Sequence, residues 1–81
     1  MTENTLKLLN YLKQQGSAVQ LKTTADALGM SWQGVNALFN QLVKNGYGTR
    51  IPHSVIDETS GQEKEIKLLL LTDAGRSYEI N

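Results

Sequence analysis

Apolar positions along the chain keep two rhythms, and the places where one gives way to the other divide it into elements. In "ENTLKLLNYLKQQG", Leu8, Leu9 and Leu12 fall on one face of a helical period, with Leu6 and Tyr11 flanking them. Gly16 then offers the left-handed stop that other residues resist. "AVQL" alternates Val19 and Leu21 like a very short strand. "KTTADALGM" reads as a brief second helix that turns Ala25 and Leu28 inward and ends at Gly29.

The strongest periodic signal follows, and it predicts a third helix over residues 32–45. Val35, Leu38, Phe39, Leu42 and Val43 keep the i, i+3, i+4, i+7, i+8 spacing of one buried stripe. Ser31 sits where an N-cap belongs, and "NG" at 45 and 46 closes the helix. Its other face carries Trp32, Gln33, Asn36, Ala37, Asn40, Gln41 and Lys44.

Beyond it, "YGTRIPHSVIDE" and "KEIKLLLL" alternate as two strands joined by "TSGQ", whose glycine suits a hairpin loop. Pro52 lacks a ladder donor and sends the first strand to an edge or gives it a bulge. The second is apolar on both faces from Leu68 to Leu71, so it belongs in the middle of a small sheet, with "AVQL" on its far side. Thr72 can cap a last short helix or turn, with Asp73 in its first turn. The predicted class is α+β: a winged helix-turn-helix of three helices and a small antiparallel sheet made of a short strand and a wing hairpin, one domain over residues 1–81.

Composition narrows the chemistry. The chain has 81 residues, enough for one modest core. Without cysteine it can build no disulfide framework, thiolate zinc site or cysteine nucleophile. The apolar run "LLLL" is too short to cross a bilayer and no leader is legible, so a soluble, cytoplasmic protein is expected. Eight basic and eight acidic residues cancel, but they are not evenly spread. Residues 27–56 hold Lys44 and Arg50 and no acid, whereas acids outnumber bases from Asp57 onward. His53 is the single histidine and has no evident metal or catalytic companions; Ser54 beside it points to the opposite face of a strand. No enzyme, metal site or cofactor is expected.

"TTADALGMSWQGVNALFNQLVKNGYGTR" resembles the helix-turn-helix of MarR-like winged-helix regulators, and "LLLTDAGR" at 69–76 resembles the passage from that family's second wing strand into its next helix. Together the two stretches cover a little under half the chain, in matching order. The resemblance implies a DNA-binding fold with the third helix in the major groove and the hairpin against the backbone or minor groove. The family's full-length members also carry terminal helices that build a dimer, and no counterpart is read in these residues. Where the family's wing has an Asp followed by a DNA-reaching base, Asp57 here is followed by "ETSGQEK", with Lys64 the nearest substitute. A fainter likeness, to winged helices that bind left-handed duplexes, rests on Asn36 alone, because the positions one turn either side are Trp32 and Asn40.

Each candidate contact has a plain structural alternative. Gln33, Asn36 and Asn40 bear amides that can pair with an adenine edge, or they are merely the solvated face of an amphipathic helix. Gly34 and Ala37 are small enough for a close approach to a groove. Trp32 can pack on a sugar-phosphate edge, meet a protein, or fold back as a staple on the second helix. Lys22, Thr23 and Thr24 open the second helix where a phosphate can dock, although simple capping accounts for the threonines equally well. Ser31 belongs to the same surface as the third helix's cap. Lys44 and Arg50 are candidate backbone clamps or ordinary surface charges.

Two functions follow. One is sequence-specific binding of double-stranded DNA by a small transcriptional regulator of bacterial or phage type, with the third helix in the major groove. The other is a winged helix used for protein–protein contact, favoured by zero net charge and an acidic wing. Either is compatible with a homodimer formed through the first helix or the C-terminal segment; under the second, a surface containing Leu6, Tyr11 or Leu69 meets another copy or a partner.

Overall fold

The computed structural model describes residues 1–79 and orders them as α1 (Glu3–Gln15), α2 (Leu21–Leu28), α3 (Trp32–Lys44), β1 (Gly48–Ile56), β2 (Glu63–Leu71) and α4 (Asp73–Ser77). Residues 80 and 81, the end of the expected domain, lie outside the described residues. Every predicted helix has formed, and the expected last short helix or turn is a five-residue helix. Thr72 caps it, accepting from the Gly75 amide.

The caps explain the boundaries. Thr2 accepts from the Thr5 amide at the start of α1, which carries Glu3 in its first turn and Lys13 in its last, both favourable to the helix dipole. Ser31 accepts from the Gly34 amide at 3.0 Å and starts α3. Between α2 and α3 the chain turns on Gly29, whose φ of 65° lies in the left-handed region, so the Met30 amide can reach back to the Ala25 carbonyl. The helix-turn-helix is thus closed in a few residues.

One cluster forms the core: Leu8, Leu9 and Leu12 from α1, Ala25 from α2, Val35, Phe39 and Leu42 from α3, and Leu69 and Leu71 from β2. Val43 departs from its expected place in the stripe. It remains 37% exposed, because the apolar arc of α3 is wider than the surface the other helices cover. Leu38 is half-buried beside it.

β1 and β2 pair antiparallel without a break from Gly48↔Leu71 to Ile56↔Glu63. Pro52 stands opposite Lys67 with no bulge, which the edge position of β1 permits. The expected third strand is reduced to a bridge: the Val19 amide donates to the Leu69 carbonyl at 3.0 Å and the Leu69 amide to the Val19 carbonyl at 2.7 Å. That suffices to place β2 between two neighbours. Beyond this root the hairpin projects outward, and the molecule measures 45 × 25 × 21 Å.

The passage into α4 is held by a close approach. A β-carbon on Gly75 would run into the Tyr47 carbonyl, so this position tolerates no side chain. Thr72 donates its hydroxyl to the Gly46 carbonyl at 2.7 Å, and Lys13 donates to the Tyr78 carbonyl at 2.7 Å. Tyr78 meets Tyr47 edge to face at 5.3 Å. The C-terminal segment is thereby committed to its own chain as far as Tyr78.

Candidate nucleic-acid interface

The outer face of α3 is braced by the hairpin root. Leu69 is buried and pairs directly with Arg50, so cross-strand geometry puts the Arg50 side chain on the inner face of the sheet. It emerges where the core ends. There its guanidinium lies over the Phe39 ring, 4.9 Å from the centroid. One terminal nitrogen, Nη2, donates to Asn36 Oδ1 at 2.9 Å and to Asn40 Oδ1 at 2.7 Å. Arg50 joins strand to helix, and the two amides it holds are both on the acid-free face of α3.

Beside this bracket is a cavity of about 700 Å³ between α2, the start of α3 and β2. Leu21, Ala25, Met30, Ile66 and Leu69 make its apolar lining. Lys22, Arg50 and Lys67 bring three basic groups to its walls against the single carboxylate of Asp26. Trp32 stands at its edge and is 59% exposed, which rules out a side chain folded back as a staple.

The cavity unites Lys22, Ser31, Trp32, Asn36 and Arg50 among the residues singled out from sequence. Thr23, Gln33, Ala37 and Lys44 are exposed on α2 and α3 but do not line it, and Asn40 reaches it only through Arg50. Thr24 is fully buried and its hydroxyl donates to the Gln20 carbonyl at 2.9 Å, because its place in α2 faces the core rather than solvent. Ser31 spends its hydroxyl on the α3 cap.

Lys64 stands apart on the hairpin, paired with Val55. Near it, Asp57 Oδ1 accepts from the Thr59 amide at 2.8 Å and the Ser60 amide at 3.3 Å. Those two amides hold the Asp57 carboxyl below its ordinary value of 3.8 against an opposing desolvation, with Lys64 the smallest contribution. The tip aspartate is a turn-forming residue.

Two residues escaped the sequence reading. Lys67 shares the inner face of β2 with Leu69 and Leu71, and strand alternation from those leucines could have located it. Asp26 lies one turn from Lys22 on α2. Their meeting with Arg50 depends on the packing of α2 against β2.

Comparison with known protein families and with curated proteins finds no match. Among solved structures, the chain is similar to the PcaV transcriptional regulator from Streptomyces coelicolor, determined in complex with its natural ligand. The two are 23% identical with a TM-score of 0.66, over 93% of this chain and 48% of that one. The fold is a winged helix. In its terms α2 and α3 are the helix-turn-helix, the β1–β2 hairpin is the wing, and the bracket at Arg50 sits where helix and wing join. The winged helix spans about half the length of the PcaV chain.

Proposed function

We propose that this chain binds double-stranded DNA as the winged-helix part of a transcriptional regulator, with α3 in the major groove. The observation that carries this reading is the acid-free outer face of α3, held by Arg50 and flanked by the cationic wall of Lys22 and Lys67. Likeness of fold to a transcriptional regulator supports it. In such a pose Gln33, Asn36, Ala37 and Asn40 face base edges, and Trp32 lies along a sugar-phosphate edge. Lys22, Thr23, Lys44, Arg50 and Lys67 take backbone phosphates.

Zero net charge has a quantitative consequence. With four basic side chains near the interface, log affinity against log salt should fall with a slope of about −3 to −4, far shallower than for strongly basic binders. A second subunit supplying a second half-site would double that slope. Titrating isotope-labelled protein with random-sequence duplex at low salt tests the reading. Amide shifts should cluster at residues 22–24, 31–44 and the hairpin root, and absence of any shift would defeat it.

One observation favours a second reading, a protein-interaction module. Trp32 is largely exposed at the edge of an apolar-lined cavity, the kind of anchor and hollow that protein interfaces use. In that case duplex leaves the spectrum unchanged and Trp32 fluorescence responds to a protein partner instead. A homodimer through α1 would have to use Leu6 and Tyr11, which are half-buried, since Leu69 is 1% exposed and spent in the core.

A further inference from the structure

The geometry points to a donor-weighted reading face on α3, one that selects guanine over adenine at the base pairs opposite Asn36 and Asn40. This inference rests on the DNA-binding reading above and specifies what that face recognises.

A free asparagine amide carries one acceptor and one donor group, and that pair matches adenine: its oxygen takes the N6 amino group while its nitrogen donates to N7. In this structure the oxygens are already engaged. Guanidinium nitrogens only donate, so the short contacts from Arg50 Nη2 fix the sense of both amides. The oxygens of Asn36 and Asn40 converge on one nitrogen, whose two hydrogens are shared between them, leaving both amide NH2 groups for an outside partner. The donor is charged, which makes these bonds stronger than neutral ones, and contact with the Phe39 ring restrains the guanidinium from turning away.

The face therefore offers two amide NH2 groups, and the three remaining N–H donors of Arg50 are left for a backbone phosphate. Acceptors are what it binds best. In the major groove guanine presents two adjacent acceptors, O6 and N7, whereas adenine presents N7 beside an amino donor. Reading adenine in the usual two-bonded way would leave the base donor only the second lone pair of an amide oxygen already polarised by a cation. Gln33, one turn before, has no such partner among the described residues and keeps both capacities.

The test is selection of bound sequences from a random duplex pool with the whole chain, for the unchanged protein and for Arg50→Met and Asn40→Ala. Methionine keeps apolar cover over Phe39 while freeing both amide oxygens. The unchanged protein should enrich guanine over adenine at two neighbouring positions by roughly tenfold each, the scale of one good base contact. Arg50→Met should shift those positions toward adenine. Asn40→Ala, a change at an exposed helix site, should erase the preference at one position and leave the other, which keeps the inference open to refutation if Arg50→Met does not fold. Binding with adenine enriched, or with no purine preference, overturns the donor-weighted face and leaves DNA binding intact. Failure to bind any duplex at low salt overturns both.

Discussion

The root and the tip of the hairpin belong to the same two strands yet behave as different materials. At the root, Leu69 and Leu71 are buried, Val19 bonds Leu69 on its free side, and Arg50 reaches across to α3. From Pro52 and Lys67 outward, β1 and β2 have only each other, and most side chains there are exposed. Cross-bracing to the core, rather than strand pairing, makes part of a small sheet rigid. The braced part is the one that serves α3. The tip carries Asp57, Glu58, Glu63 and Glu65 against Lys64 and is a poor surface for phosphates.

Truncation separates root from tip most sharply. Leu69→Ala should cost about 2–5 kcal/mol in denaturant unfolding, because it empties a filled site touching both helices and sheet. Ile56→Ala at the 66%-exposed tip should stay within about 0.5 kcal/mol. Equal losses at the two sites would mean that the tip shares the core's stability. Next in size is Thr72→Ala, which removes the α4 cap and the bond to the Gly46 carbonyl. A loss of about 1–2 kcal/mol is expected, seen as a lower thermal midpoint.

The smallest effect belongs to the tip. Asp57 has a lowered pKa in the folded chain, so ionisation favours the folded turn. That contribution is fully present above the ordinary carboxylate value of 3.8, fades as pH falls below it and is gone beneath the lowered folded value. Asp57→Asn should remove this acid dependence from the amide exchange of Thr59 and Ser60 while leaving exchange at Leu69 unchanged. A matching change at Leu69 would join tip and root into one cooperative unit.

How much could be read beforehand follows from the range of the forces. The α3 cap at Ser31, the stop at Gly29 and the stripe through Val35, Phe39 and Leu42 are near neighbours in sequence, and all three are found as expected. Periodicity gave no warning about Val43, since it reports which residues share a face but not how wide a partner covers that face. The burial of Thr24 went unread for a related reason: in so short a helix, exposed and buried threonines differ by one position. For Trp32, several packings were equally consistent with its place after the cap, and its exposure removed one of them, the staple on the second helix.

Local chemistry alone determined the order of helices and strands, the acid-free outer face of α3 and the acidic hairpin tip, because caps, periodicity and charge are properties of neighbouring residues. What Asn36 and Asn40 can offer a partner was settled elsewhere. Their oxygens are held by Arg50, which arrives from another element through the pairing of Arg50 with Leu69. A one-residue slip in that register would turn Arg50 to the opposite face and release both amides, since alternate residues of a strand point to opposite sides of the sheet. Tertiary register, not residue type, fixed the hydrogen-bonding character of the surface.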